Sequence, residues 1–387
     1  MSKTYSKSEV NFIVGIASTL GLRQFSLILA MPLLAIYGNS LQNSSSALVG
    51  FAIGIYGLLQ AILQVPYGVL SDKVGRKPII LFGILQLSVG LLLASIANNI
   101  YVLILARAIQ GSGAIMAVAY SWIGDVIPES KRNQAMSIVG ISFGIAGTAG
   151  FIGATLLNKV LTVSQIFLIC AIFTFITGLY ITIFVKENKV KNIVKKEKLK
   201  AEMITKDMIK LMCGGFFVYF SMVSVFIIVP QIVDKLVGIS EMWKFFIPGT
   251  ILGIIAMRIS AKLADKGYEK NIVKLSFFVI VISIICLFTE NIYIIAIGLI
   301  LYFIGYMCLV SLFPATITKF SPKNAKGAVT GAFNTVQFIG SFLGGSLTGI
   351  LWGINKNITV FALLTLCIIV MLIVNTVQNY SPEYKEE

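Results

Sequence analysis

Between two long apolar runs the chain reads Gly68-Val-Leu-Ser-Asp72-Lys73-Val-Gly75-Arg76-Lys77-Pro78. One acid stands among three cations, and two glycines flank it. The chemistry open to such a set is the making and breaking of ion pairs. A helix N-terminus carries a partial positive charge, so Asp72 can dock against one, and the eleventh apolar run must begin on the same side near Gly327. Arg76 or Lys77 is placed to pair with Asp125, at the inner end of the fourth run. Gly68 and Gly75 permit a tight turn and a close helix approach. Gly68, Asp72, Lys73, Gly75, Arg76, Lys77 and Asp125 are therefore expected to form a latch on one side of the molecule. A loop that served only to set orientation would need neither the acid nor the glycines.

A second set lies inside the apolar runs. Arg23 and Arg107 each sit well within one, where an arginine at a bilayer centre costs about 2.5–3.5 kcal/mol on insertion scales. Both should face a polar cavity, or be held by carbonyls and amides that brace neighbouring helices. Tyr56, Gln60 and Gln64 repeat every four residues and share a helix face, as do Asn334, Gln337 and Ser341. These stripes, with Gln110, read as cavity lining or as interhelical hydrogen-bonding glue. Tyr219, Met222 and Phe226, with Tyr302 and Tyr306, read as an adaptable aromatic wall or as plain packing. No acid falls near the middle of any apolar run, so the cavity is cationic. Because arginine keeps its proton, Arg107 can only steer protons or tune a neighbour, and Asp125, then Asp234, are the candidate carriers.

Composition says what must position these groups. Of 387 residues, 57% are apolar and 12% charged, against about 45–50% and 25% in soluble domains. Disordered chains, secreted disulfide scaffolds and cytosolic enzymes are excluded. Histidine is absent, which removes imidazole relays and most transition-metal sites. The five cysteines fall inside apolar runs without CxxC spacing and read as small buried hydrophobes. No metal or cofactor is expected, and a GxxxxGK[ST] loop is missing. A membrane-embedded enzyme is disfavoured, because paired intramembrane acids and a nucleophile–base set are both missing.

A spanning helix takes about 20 residues, and the apolar runs allow twelve. They are 12–37, 47–70, 78–97, 100–123, 134–157, 162–185, 209–233, 243–264, 272–289, 292–315, 327–351 and 358–377. The fold class is thus an all-α integral membrane protein. With both termini inside, the inner side carries 24 Lys and Arg and the outer loops 4, the asymmetry that sets orientation. The charge is an orientation signal rather than a sign of nucleic-acid binding. A lysine-rich stretch, 186–208, separates a bundle over 1–185 from one over 209–387. It reads as a linker on the anionic inner leaflet. The halves repeat: Asp72-Lys73 and Asp265-Lys266 lie 193 residues apart. The pairs Pro128/Pro322, Gly111/Gly305 and Gly150/Gly344 lie 194 apart. Two pseudo-symmetric six-helix bundles are an architecture of secondary transporters. In the fifth run, Gly140, Gly144, Gly147, Gly150 and Gly153 suit close packing between the halves.

The loop at 68–78 resembles the major facilitator superfamily signature G-x-x-x-D-R/K-x-G-R-R/K, in the position that family has it. Arg107-Ala-Ile-Gln110-Gly111 is similar to the R-x-x-x-G element of the twelve-helix drug:proton antiporter branch. The stretches 50–77 and 106–144 look like YajR-type bacterial transporters, without their C-terminal soluble domain. Where antiporters carry a G-P-x-x-G-G element, this chain has Ala154-Thr155 in place of Gly-Pro. The resemblance implies alternating access, with efflux of amphipathic small molecules or drugs driven by the proton gradient across a bacterial inner membrane. A monomer would hold the whole pathway, with lipid, protons and substrate as its partners. The alternative is a carrier for organic anions or small nutrients with an Arg-lined cavity.

Overall fold

The computed structural model describes residues 5–187, 204–238, 241–321 and 326–377. The chain forms two compact units, Met1–Val194 and Lys195–Glu387. The division falls in the expected linker, of which 188–203 lie outside the described residues, as does Pro322.

The N-terminal unit holds α1 (Lys7–Asn39), α2 (Ser46–Val74), α3 (Arg76–Ser95), α4 (Ile100–Ser112), α5 (Met116–Val126), α6 (Glu129–Leu157) and α7 (Val163–Phe184). The C-terminal unit holds α8 (Lys206–Val237), α9 (Trp243–Leu263), a π-turn (Ala264–Tyr268), α10 (Glu269–Cys286), α11 (Ile292–Phe320), α12 (Lys326–Ile354) and α13 (Lys356–Asn375). The twelve expected spans map onto these helices in order, with α4 and α5 sharing the fourth. Ten stretches among the described residues are long and apolar enough to cross a membrane. The remaining two spans fall on α9 and α10, and α10 carries Glu269, Lys270 and Lys274 in its first six residues.

Local chemistry sets the helix starts. Ser6 caps α1 and Thr162 caps α7, each closing a capping box with Glu9 or Gln165, which satisfies donors that a helix leaves open. The faces are inverted relative to a soluble helix. On α7 the buried side carries Cys170, Thr174, Thr177 and Ile181, while Ile172, Phe173, Ile176 and Leu179 point outward, each about half exposed. An outward apolar face on every residue of such a strip suits hydrocarbon, and the inward threonines return their hydroxyls to the helix's own carbonyls.

Each unit pairs its helices in the same pattern. α1 packs on α6, α2 on α4, and α3 on α4 and α7; α8 packs on α12, α9 on α11, and α10 on α11 and α13. The equivalent glycines Gly150 and Gly344 press on the equivalent helices: Gly150 meets Ile28 and Phe25 of α1, and Gly344 meets the Phe220 backbone of α8. Gly111 and Gly305 do not correspond in this way, since Gly111 abuts Tyr56 of α2 and Gly305 abuts Ser276 and Ile280 of α10. Within the N-terminal unit, Gly150 and Gly153 of the α6 stripe contact α1, and a side chain at Gly140 or Gly144 would meet no atom of that unit within 4 Å. The cysteines also divide: Cys170, Cys308 and Cys367 are buried, whereas Cys213 and Cys286 are partly exposed.

A methyl group at Gly340 would strike the Phe216 backbone, while one at Gly331, on the same helix, would meet nothing within 4 Å. Gly340→Ala should therefore lower the melting temperature of the purified protein, with about 1–3 kcal/mol lost to overpacking. Gly331→Ala should leave it unchanged or raise it, because alanine is the better helix former.

Candidate functional site

Gly75 ends α2 and starts α3 at φ +113°, a conformation that side-chain-bearing residues rarely adopt. A side chain there would also collide with the Glu187 carboxylate. The sharp reversal turns Arg76 back under the bundle, where it is 3% exposed. Its Nε donates to Asp125 Oδ2 at 2.8 Å and its Nη1 to Ser71 Oγ at 2.5 Å, and its Nη2 pairs with Asp72. One guanidinium thus ties the ends of α2, α3 and α5. Both carboxylates keep about a third of their side chains exposed, 33% for Asp72 and 31% for Asp125.

Of the two cations expected to pair with Asp125, Arg76 is the one that does. Lys77 does not reach Asp125; its ammonium donates to the carbonyls of Thr182 at 2.9 Å and Val185 at 2.7 Å. Those carbonyls belong to the last turn of α7 and its cap, where the helix dipole is negative and a cation is favoured. Within its own unit Gly68 makes no close approach, since a side chain there would meet nothing within 4 Å. Lys73 is exposed.

The C-terminal unit holds a counterpart that the motif reading missed. Glu269, the first residue of α10, is 2% exposed. It accepts from Lys319 Nζ at 2.9 Å and from the Thr316 hydroxyl, both near the end of α11. Glu269 follows Arg76 by 193 residues and Lys319 follows Asp125 by 194, the same offsets that define the repeat. The ion pair is therefore present in both units with its charges exchanged. The signal was available in the sequence by carrying Arg76 and Asp125 forward by the repeat length. Asp265, the counterpart of Asp72, lies instead in the π-turn with Gly267 at φ +89°.

Midway along the N-terminal unit, Arg23, Tyr56, Arg107 and Gln110 are brought together, all buried; Gln60 and Gln64, also buried, follow Tyr56 along α2. Gly111 makes this possible: it sets α4 against the Tyr56 backbone, so Arg107 lies over the Tyr56 ring at 4.7 Å from its centroid. Arg23 Nη2 donates to the Tyr56 hydroxyl at 2.8 Å. Arg107 Nη1 donates to Gln110 Oε1 at 2.8 Å, and Gln110 Nε2 is anchored on the Gly90 carbonyl at 3.0 Å.

Of the aromatic set, Tyr302, Tyr306 and Phe226, with Met222, form packed core in the C-terminal unit. Tyr302 and Tyr306 stack with centroids 5.7 Å apart, and Tyr306 donates to Met222 Sδ at 2.9 Å. Tyr302 shares a hydrogen bond with Ser221 at 3.1 Å. Phe226 stacks on Phe246 at 5.6 Å. Tyr219, half-buried, meets Phe338 edge-on. Of the α12 stripe, Gln337 and Ser341 are buried and Asn334 is partly exposed. Asp234 is exposed near the end of α8, apart from the buried clusters.

The Major Facilitator Superfamily profile matches residues 12–345. The chain belongs to the major facilitator superfamily. It is a multi-pass membrane transporter and not an enzyme. It is 30% identical over 357 residues to the inner membrane transport protein YajR of Escherichia coli (strain K12), covering 90% of this chain and 78% of that protein. It is 25% identical over 372 residues to the multi-drug resistance efflux pump PmrA of Streptococcus pneumoniae, covering 91% and 92%. Its fold superposes with a TM-score of 0.76 on a bacterial homologue of the human lysosomal transporter Spinster in an inward-facing, occupied conformation. That match has 13% sequence identity and covers 96% of this chain and 95% of the other.

The exchanged ion pairs predict a rescue. Arg76→Glu alone gathers acids at the end of α3 without a cation and should lower yield and melting temperature sharply, since breaking a buried pair costs about 3–5 kcal/mol. Adding Asp125→Lys copies the Glu269–Lys319 arrangement and should restore most of the loss. A double variant no more stable than the single one would show that the two ends are not equivalent.

Proposed function

We propose that this transporter works by alternating access in a bacterial cytoplasmic membrane, with both termini inside, and exports amphipathic small molecules in exchange for protons. The observation that carries this reading is the Asp72–Arg76–Asp125 cluster at the basic end of the N-terminal unit. Its two acids are partly exposed while its cation is buried, so a proton arriving from water reaches Asp125 without any helix having to open. Protonating Asp125 removes one of the two charges that neutralise Arg76. The guanidinium cannot follow by losing its own proton, so it must seek other acceptors, and the ends of α2, α3 and α5 loosen together. The cluster is in this way a latch that a proton releases.

The direction of transport is supported by the similarity to PmrA, an efflux pump by name. One proton moving inward gains about 2.3 kcal/mol per 100 mV of membrane potential, enough to drive a neutral molecule outward. No further cofactor is needed, and a single chain is the functional unit. A carrier of organic anions is the second reading, favoured by the buried pair Arg23 and Arg107.

In proteoliposomes holding an imposed proton gradient, addition of a transported amphiphile should shift internal pH, and vesicles with Asp125→Asn should show no shift. Asp72→Asn should abolish transport while the protein still inserts at normal yield. Full transport in Asp72→Asn would overturn the latch, and substrate flux without proton movement would overturn exchange.

A further inference from the structure

We propose that Arg23 and Arg107 form a binding site for the carboxylate of an amphipathic organic anion within the N-terminal unit. The amphipathic part rests on the transport reading above, whereas the anion site rests on the geometry of these side chains.

Arg23 is 3% exposed and Arg107 is 1% exposed. Both guanidiniums lie against one tyrosine, with centroid distances of 5.9 Å and 4.7 Å to the Tyr56 ring. Tyr56 offers a π-face and one hydroxyl, and cation–π contact is worth only about 0.5–2 kcal/mol. Among the described residues no carboxylate pairs with either arginine. Asp72 and Asp125 are committed to Arg76, Glu9 to Lys131, and Glu187 lies beside Gly75, all at the basic end of the unit. Two permanent charges are thus buried without a counter-ion, the arrangement that costs most in a low-dielectric interior.

The open atoms say what would compensate them. Arg23 Nε, Arg107 Nε and Nη2, and both polar atoms of the Gln60 amide have no hydrogen-bond partner. On Arg107 the Nη1 arm is taken by Gln110, whose own amide is fixed by Gly90. What remains is the side edge of the guanidinium, Nε–H and Nη2–H pointing the same way. That fork matches the two oxygens of a carboxylate. Arg23 Nε adds a third donor, and a carboxylate has lone pairs enough for all three. A cation would be repelled here, and a neutral amide would leave both charges uncompensated.

The test uses the full chain purified in detergent and isothermal titration calorimetry with 2-naphthoate, its neutral isostere 2-naphthamide, and inorganic phosphate. Naphthoate should bind at least tenfold more tightly than naphthamide. Arg23→Gln and Arg107→Gln should each weaken naphthoate tenfold or more and leave naphthamide within twofold. Where a glutamine variant aggregates, Arg107→Lys keeps the charge without the fork and should still weaken naphthoate alone. Equal affinity for acid and amide, or naphthoate binding indifferent to these substitutions, overturns the site. Phosphate binding as tightly as naphthoate overturns the amphipathic substrate class. Binding is read here without flux, so loss of proton exchange would leave this result standing, and failure here would leave export of neutral amphiphiles intact.

Discussion

An ionised side chain taken out of water must be met by partners of opposite charge or by a full set of hydrogen bonds, and that requirement organises both halves of this transporter. Arg76 meets it with two carboxylates and a serine hydroxyl drawn from three helix ends. Glu269 meets it with Lys319 and Thr316. Each pair fastens the start of one helix to the end of another across the fold of its unit. Elsewhere the helices meet through apolar side chains, glycines and side-chain hydrogen bonds such as Arg23–Tyr56 and Ser224–Thr348, and in lipid apolar contacts gain little from excluding water. Charge at the helix ends is therefore the strongest directional contact available there.

The exchange of sign between the units is not chemically neutral. In the N-terminal unit the buried member is a guanidinium, which stays charged, and the acids that answer it are the wetter partners. In the C-terminal unit the buried member is a carboxylate, and the wetter partner is a lysine whose side chain is 44% exposed. The same backbone scaffold thus carries a permanent charge inside one half and a protonatable one inside the other. Coulomb attraction is indifferent to which partner is which, so duplication of the scaffold leaves the sign free while the pairing is kept.

The arginines in mid-membrane follow the same rule from the other direction. Arg76 has its needs met by protein, while Arg23 and Arg107 keep open nitrogens. A site whose charges are balanced by its own chain braces helices; a site left in deficit is suited to a ligand that brings the missing charge. The packed tyrosines and phenylalanines of the C-terminal unit show the contrast: Tyr302 and Tyr306 spend their hydroxyls on Ser221 and Met222, and so belong to the core.

The order of the helices, the two-unit plan and the placement of the motif loop were determined by the sequence itself. Runs of about twenty apolar residues can only be spans, and a repeat at 193–194 residues can only be two copies of one scaffold. Gly75 as the reversal and Asp125 as a partner for the following loop were also legible, because positive φ and charge pairing leave local traces. Which cation takes Asp125 was decided by tertiary structure: the turn buries Arg76 beneath α5 and swings Lys77 toward the carbonyls of α7. Sequence patterning likewise could not separate lining from core for Tyr302, Tyr306 and Phe226, since an aromatic stripe looks the same whether it faces a cavity or another helix. Glu269 lay beyond the local pattern for a related reason. A charged residue just outside an apolar run reads as solvated loop, and only the packing of α10 against α11 takes it out of water.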